Sequence, residues 1–226
     1  MASRPMAERI LVAVIDSGVH PDHPHIDPAR LRPGFAIGAD GMVIEQGVIP
    51  LDRLGHGTAV TAAIQEKAPE ADILPIRVFH DALRGSALAL VGAIRMAAGA
   101  GADIINLSLG TTNAAHAPLF AEAVAAAPDA LILAAAQADG VPCLPGSLAG
   151  VLGVELDWDI PRETFLWRDG QMIASGYPRP IPGVPQRRNL YGISFAVAQA
   201  SGFAARIAHE RNLRARAALL AALSTA

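Results

Sequence analysis

ILVAVIDSG, residues 10–18, is a continuous apolar run that ends abruptly in Asp16-Ser17-Gly18. A short apolar run without polar alternation, bounded by turn-forming residues, is typical of a strand that is buried on both faces. Strands of this kind occur in parallel sheets, because the helices that connect parallel strands cover both faces of the sheet. The stretch therefore predicts a buried strand that enters a loop at Asp16, within an α/β fold.

Strand and helix patterns alternate along the rest of the chain. We predict strands at residues 73–78, 104–107, 131–136 and 151–156, and helices at residues 56–65, 86–98, 118–126, 194–212 and 214–223. Residues 158–188 contain several prolines and are interpreted as irregular structure or hairpins. This alternation implies a mainly parallel sheet with helices on both faces. Because the sequence has neither an internal repeat nor a low-complexity linker, we predict a single domain over residues 1–226, with no pro-domain.

The amino-acid composition indicates a globular protein and gives no sign of a disordered, nucleic-acid-binding or disulfide-bonded one. The 226 residues are 52% hydrophobic and 17% charged, which is typical of a globular chain and not of a disordered one. The formal net charge of −3 gives no reason to expect nucleic acid or an anionic membrane as a partner. With Cys143 as its one cysteine, the chain cannot form an internal disulfide. Residues 1–10 lack the apolar core of a signal peptide, so we expect a cytoplasmic protein.

Three short motifs place a reactive residue at the end of a strand or the start of a helix. Asp16 follows the first strand, His56 lies between glycines in GHGT, and Ser194 lies in GISFA. Each has an ordinary structural explanation when taken alone. An aspartate after a strand is common in nucleotide-binding folds, a histidine at a helix start is commonly structural, and most serines at a helix start are caps.

Together, in the order Asp, His, Ser, the motifs describe a nucleophile, its base and the group that orients the base. A serine hydroxyl is a poor nucleophile until an imidazole takes its proton, and a carboxylate holds the imidazole in the required tautomer. The same chain order occurs in subtilisin. From about residue 10 to residue 202 the sequence resembles the subtilisin-like serine peptidase family, with DSGV and His23-Pro24 as its aspartate motif, GHGT as its histidine motif and GISFA as its serine motif.

The resemblance implies a subtilisin-like three-layer fold with Asp16, His56 and Ser194 as the catalytic triad. It also implies that two segments flank an extended substrate backbone, which would bind as an added strand. These segments are Leu83-Arg84-Gly85 and Ser108-Leu109-Gly110, the latter within INLSLG, which matches the lining of the first specificity pocket. Cys143 aligns roughly with a small residue at the base of that pocket, although a buried small hydrophobic residue is an equally good interpretation.

The sequence departs from the family where the oxyanion of the tetrahedral intermediate is stabilised. Relatives usually carry an asparagine whose amide donates to the oxyanion, and Ala138 falls on that position here. Ile193 replaces the usual threonine before the nucleophile, and Phe195 replaces the usual methionine after it. The backbone N–H of Ser194 remains as a donor, and Gln137 is a hypothetical replacement. Losing one such donor typically costs on the order of 10²–10³ in kcat.

Two other groups of residues could suggest binding sites. A solvated loop is a better interpretation than a metal site for the cluster His20, Asp22, His23 and His25. The basic residues near the end of the sequence are better explained as the solvent face of terminal helices: Arg206, Arg211, Arg214 and Arg216. The loop that supplies a calcium site in secreted relatives is short here, so we predict no metal site and no cofactor.

The sequence therefore predicts a serine endopeptidase that cleaves an extended peptide segment selectively. Small cytoplasmic members of this family remove leader segments from ribosomally made, modified peptides, and one takes part in maturation of the crosslinked small subunit of quinohemoprotein amine dehydrogenase. We expect this chain to act on a peptide or protein substrate, with a partner protein as a possible means of presenting it. The alternative is a catalytically inactive subtilisin fold that binds peptides as a scaffold.

Overall fold

The computed structural model describes residues 9–226 and contains strands that agree closely with the sequence pattern. The predictions about residues 1–8 lie outside the described residues. The strands are β1 (Leu11–Asp16), β2 (Gly34–Ile37), β3 (Val43–Val48), β4 (Asp72–Arg77), β5 (Ile104–Leu107), β6 (Leu131–Ala135), β7 (Gln137–Ala138), β8 (Val141–Pro142), β9 (Val151–Leu156), β10 (Phe165–Arg168) and β11 (Gln171–Ala174). The helices are α1 (His56–Lys67), α2 (Ala87–Gly99), α3 (Ala117–Ala125), α4 (Ile193–Glu210) and α5 (Arg216–Leu223).

Nine strands form one sheet in the order β10-β11-β9-β6-β5-β1-β4-β2-β3, and β7 pairs with β8 in a separate hairpin. All neighbours in the large sheet are parallel except β2 with β3 and β10 with β11. β1 lies between β4 and β5, so the chain leaves β1 on one side and later returns on its other side. The carboxyl end of β1 is therefore at a switch point of the sheet, where ligands bind in open α/β folds.

Helices cover both faces of the sheet, as the sequence predicted. Alternate residues of β1 belong to different cores: Val12 and Val14 pack in the core with α1, α4 and α5, and Ala13 and Ile15 in the core with α2 and α3. Both cores contain many alanines, whose small side chains allow helices to lie close to the sheet. This is the mainly parallel three-layer α/β fold expected from the sequence.

The hairpin formed by β2 and β3 was not predicted. Residues 44–48 of β3 are exposed, and this strand forms one edge of the sheet. An edge strand that buries little of either face lacks the apolar signal that marked β1. Within residues 158–188, the structure shows a hairpin of β10 and β11, which is one of the two interpretations given above.

None of the helices within residues 9–226 combines the length and the apolar character needed to cross a membrane.

Candidate active site

Asp16 is the last residue of β1 and is fully buried. Its Oδ1 accepts hydrogen bonds from the backbone N–H of Ser17 at 2.8 Å and from the Ser17 hydroxyl at 3.3 Å. Nδ1 of His56 lies 2.8 Å from the same oxygen. Because the carboxylate can only accept, the imidazole donates from Nδ1, which leaves its Nε2 as the acceptor. The structure thus pairs Asp16 and His56 in the arrangement that a general base requires.

His56 is the first residue of α1, and the buried carboxylate of Asp52 fixes the position of this helix start. Asp52 Oδ1 accepts from the backbone N–H groups of Leu54 and Gly55, both at 2.9 Å. Its Oδ2 accepts from the backbone N–H of Thr58 at 2.9 Å and from the Thr58 hydroxyl at 2.6 Å. A negative charge at the N-terminus of a helix is favourable because the helix dipole is positive there. Asp52 thereby holds the backbone that carries His56.

The loop after β1 and the start of α1 approach each other too closely for any side chain on Gly57. The backbone N–H of Gly57 donates to the Ser17 hydroxyl at 2.9 Å. A Cβ atom on Gly57 would overlap the carbonyl oxygen of Gly18. The glycine after His56 is therefore required by this contact, which brings the imidazole within reach of Asp16.

The electrostatic environment of His56 favours the protonated ring. Burial alone would lower its pKa, but the hydrogen bond from the ring to Asp16 and the charges of Asp16 and Asp52 outweigh burial. The pKa of His56 is consequently raised above its ordinary value of 6.5. An imidazole in this setting becomes a base that is readily stabilised once it has accepted a proton.

Ser194 is the second residue of α4 and is buried beside the start of α1. The ring of the next residue, Phe195, lies 5.6 Å from the His56 ring, measured between centroids. Gly192 precedes the helix with a φ of +141°, a conformation that favours glycine. No hydrogen bond joins the Ser194 hydroxyl to His56 within the described chain. Such bonds are commonly long in a site without substrate and shorten when substrate binds.

A buried polar network, which the sequence analysis missed, lies beneath the start of α4. The Ser201 hydroxyl donates to Asn106 Oδ1 at 3.0 Å, and Asn106 Nδ2 donates to the Ser108 hydroxyl at 2.8 Å. The Ser108 hydroxyl donates in turn to the carbonyl of Ser194 at 3.4 Å. The network joins β5 to α4, and so fixes Ser194 relative to the sheet. The signal available in the sequence was Asn106, a polar residue inside an otherwise apolar strand.

The residues expected at the first specificity pocket lie together. Thr111 and Leu144 exchange backbone hydrogen bonds at 3.0 and 2.8 Å, which places residues 108–110 beside Cys143. A Cβ on Gly110 would contact the Cys143 sulfur at 2.7 Å. Burial raises the pKa of the Cys143 thiol, so it stays protonated. Leu83, Arg84 and Gly85 lie in an exposed loop before α2. The roles of Ser108, Leu109, Gly110 and Cys143 in binding substrate stay predictions.

The region expected to stabilise an oxyanion is a short hairpin. Gln137 and Ala138 form β7, paired with Val141 and Pro142 of β8. Gln137 is exposed, and its amide donates to Glu155 Oε1 at 3.3 Å. In this structure the Gln137 amide is therefore bound to Glu155, and its proposed role as an oxyanion donor requires that it leave this partner.

The histidine cluster of the loop after β1 lines a cavity. His20, His23 and His25 face a space of about 280 Å³ together with Arg53 and Arg179. Across residues 9–226, no group of three or more His, Cys, Asp or Glu residues has an arrangement suited to a metal ion.

Comparison with known proteins matches the subtilase family model to residues 7–142, which is more than half of the chain. Thermitase from Thermoactinomyces vulgaris is 32% identical over 111 residues, which cover 45% of this chain and 37% of thermitase. The chain spans from 18% to 37% of the length of three curated relatives that it matches. Among solved structures, the prenylagaramide maturation protease is 28% identical with a TM-score of 0.65, covering 91% of this chain and 78% of that one. A lanthipeptide protease has the same fold, with 21% identity, a TM-score of 0.72 and coverage of 94% and 78%.

Proposed function

The chain belongs to the subtilase family, and from this premise we propose that it is a serine endopeptidase that cleaves an extended peptide segment. The observation that carries the proposal is the buried 2.8 Å hydrogen bond between Asp16 and His56, with Ser194 at the start of the adjacent helix α4. An imidazole that is oriented by an aspartate and lies near a serine at a helix N-terminus provides the base and the nucleophile that acyl transfer requires.

In the proposed reaction, the Ser194 oxygen attacks the carbonyl carbon of the scissile peptide bond while His56 Nε2 takes the hydroxyl proton. The carbonyl electrons move onto oxygen, and the backbone N–H of Ser194 stabilises the oxyanion. Return of these electrons breaks the C–N bond, and His56 gives its proton to the leaving amine. A water molecule, deprotonated by His56, then hydrolyses the acyl-enzyme and restores the Ser194 hydroxyl. Throughout, Asp16 holds the Nδ1–H of His56 and stabilises the charged ring.

We further propose that the reaction removes a leader or propeptide segment during maturation of a ribosomally made peptide or protein. The support is the 28% identity to the prenylagaramide maturation protease over 91% of this chain. The bound substrate would add a strand beside Ser108-Leu109-Gly110 and Leu83-Arg84-Gly85. The crosslinked small subunit of quinohemoprotein amine dehydrogenase is one candidate substrate, presented with or without a partner protein, and a cytoplasmic location is part of this proposal.

One observation favours a second candidate function, that of an inactive peptide-binding scaffold. Ala138 and Ile193 place apolar side chains where the family usually has a polar donor near the reaction centre. A scaffold would bind peptide without needing the Asp16–His56 pair, and the retention of that pair supports the peptidase.

Labelling with a fluorophosphonate probe distinguishes the two functions. We expect wild-type protein to be labelled, and the Ser194→Ala and His56→Ala variants to remain unlabelled while each still shows a cooperative unfolding transition. Ser224→Ala, at the end of α5, is the matched control and should be labelled like wild type. If folded wild-type protein is not labelled, either alone or with candidate precursor peptides, the scaffold replaces the peptidase. Mass spectrometry of the same precursors then identifies the bond that is cleaved.

A further inference from the structure

Aromatic side chains are scarce in this protein, and most of its tryptophans and tyrosines lie close together. The chain contains two tryptophans and two tyrosines. Three of these four residues, Trp158, Tyr177 and Tyr191, line a cavity of about 390 Å³ together with Arg187. The Trp158 ring lies 5.1 Å from the Tyr177 ring and 6.0 Å from the Tyr191 ring, measured between centroids. We call this group the aromatic pocket.

The rings of the aromatic pocket are turned to solvent instead of filling a core. Trp158 is 45% exposed and Tyr191 is 61% exposed. Exposing the large apolar rings of Trp158 and Tyr191 to water is unfavourable in free energy, and exposed clusters of this kind commonly mark a binding surface. Tyr191 lies three residues before Ser194, and the backbone N–H of Gly192 donates to the carbonyl of Gly176 at 2.9 Å. The pocket is therefore built into the segment that leads directly to the proposed nucleophile.

Among the described residues that line the aromatic pocket, the charged one is Arg187. Residues 177–191 contain three arginines, Arg179, Arg187 and Arg188, and no aspartate or glutamate. Asp157 and Asp159 flank Trp158, but no carboxylate of residues 9–226 lies within 4.0 Å of the Arg187 guanidinium. Asp157 Oδ1 instead accepts the backbone N–H of Asp159 at 2.9 Å. Arg187 is thus a guanidinium at the pocket wall that is available to a carboxylate.

We propose that the aromatic pocket binds a part of the substrate in which an aromatic or large aliphatic side chain is adjacent to an aspartate or glutamate. The apolar side chain stacks among Trp158, Tyr177 and Tyr191, and the carboxylate pairs with Arg187. A cationic side chain is disfavoured, although aromatic rings attract cations, because Arg187 lines the same cavity. The occupant is a segment of the substrate, so this inference rests on the proposed function. It adds the chemical class of sequence that the protein selects.

Tryptophan fluorescence can report binding without cleavage. A Ser194→Ala, Trp167→Phe variant of the full chain has Trp158 as its only tryptophan, and it cannot form the acyl-enzyme. It is titrated with acetylated, amidated tetrapeptides that contain Phe-Glu, Ala-Glu, Phe-Gln or Phe-Lys at the centre. We expect Phe-Glu to bind most tightly and Ala-Glu to bind at least about tenfold more weakly, because the ring is no longer buried.

The charged contact predicts a smaller effect, which depends on salt. Phe-Gln should bind about two- to fivefold more weakly than Phe-Glu, the size expected of an ion pair at an exposed rim, and Phe-Lys more weakly still. High salt should reduce the difference between Phe-Glu and Phe-Gln. Arg187→Gln should abolish that difference. Arg188→Gln is the matched control and should preserve it, because Arg188 is the adjacent arginine and does not line the pocket.

Fluorophosphonate labelling of wild-type protein, measured beside these titrations, separates this inference from the proposed function. Equal or tighter binding of Phe-Lys, or no change in Trp158 fluorescence with any peptide up to millimolar concentration, would overturn the inference even if Ser194 is labelled. Selective binding of Phe-Glu by a protein that is not labelled would support the pocket and overturn the peptidase. Each of these conclusions requires that the Ser194→Ala, Trp167→Phe variant is folded, as shown by an unfolding transition like that of wild type.

Discussion

Helices α1 and α4 both begin at the candidate active site, but the backbone N–H groups at their N-termini have different hydrogen-bond partners. At the start of α1, the Asp52 carboxylate accepts hydrogen bonds from the backbone N–H groups of Leu54, Gly55 and Thr58. At the start of α4, no side chain of the described residues caps the helix, and Gly192 is the residue before it. The start of α1 is capped by an internal anion, whereas the start of α4 has no side-chain cap, and there the Phe195 N–H donates to the Gly192 carbonyl at 3.0 Å.

The difference follows the work that each helix start is proposed to do. His56 must be held in one orientation, and the Asp52 bonds supply that rigidity. Ser194 must present its backbone N–H to an oxyanion that exists only during the reaction, so an internal anion at α4 would compete with it. Phe195 is buried and Ile193 is half-buried beside Ser194, and an apolar surrounding strengthens the interaction of the helix dipole with a transient negative charge. Four predictions test this contrast.

The largest effect is expected from Asp16→Asn, which removes the charge behind the base. The asparagine amide can donate to the imidazole and so stabilise the wrong tautomer, and we expect the rate of fluorophosphonate labelling to fall by about 10⁴-fold. The pH profile should shift as well. Labelling requires the neutral ring, so it rises with pH through the raised pKa of His56, and loss of Asp16 lowers that pKa and moves the midpoint to lower pH. An unchanged midpoint would show that Asp16 does not control the base.

A faster rate of fluorophosphonate labelling is expected from Ala138→Asn, which adds a side-chain amide donor at the position where the family usually has one. If the backbone N–H of Ser194 acts alone, an added amide should raise the labelling rate by about 10²–10³-fold. Ala138→Leu is the matched control, similar in size but without a donor, and it should give no gain.

Gln137→Ala tests the rival donor in the same assay. Because the Gln137 amide is bound to Glu155, we expect no loss of labelling. A fall of 10²-fold or more would instead identify Gln137 as the oxyanion donor.

An effect smaller than those of Asp16→Asn and Ala138→Asn is expected from Asp52→Ala, which removes the carboxylate that caps the start of α1. Loss of its hydrogen bonds to the first turn of α1 should lower the free energy of unfolding by about 2 kcal/mol, measured by urea denaturation. Asp52→Asn keeps an acceptor and should cost less, while its loss of charge should move the pH midpoint of labelling slightly downwards. Asp129→Ala, an exposed aspartate in a turn, should change stability by no more than about 0.5 kcal/mol. An Asp52→Ala variant as stable as wild type would contradict the proposed role of this carboxylate.

The strands that were predicted best are those whose own residues decide their structure. β5 and β9 begin and end at the predicted residues, since short apolar runs bounded by polar or turn residues need little information from elsewhere. β3 was missed because it is an exposed edge strand without an apolar pattern. β2 is buried but only four residues long, and its structure depends on pairing with β4 more than on its own sequence. The start of α4 was predicted to within one residue, because the apolar helix begins directly at the serine motif.

The same division holds for the candidate site. Asp16, His56 and Ser194 could be named from motifs, since each lies in a short segment with a chemically distinctive pattern. The bond between Ser201 and Asn106 joins residues 95 apart in sequence, and no local pattern announces it. Asp52 was closer to prediction, because an acidic residue just before a helix is a known capping signal. Local motifs therefore predict the proposed reacting groups, whereas no local motif predicts the contacts between distant residues that hold those groups in place.

The late position of helix α4 in the sequence determines when the candidate site is completed during synthesis of the chain. Residues 193–210 pack in the core between α1 and the sheet, and the chain reaches them long after β1 and α1 have been made. A nascent chain therefore carries the proposed base and its carboxylate while it still lacks the proposed nucleophile. If the chain is a peptidase as proposed, it can hydrolyse peptides only after the segment that carries Ser194 has emerged from the ribosome and docked.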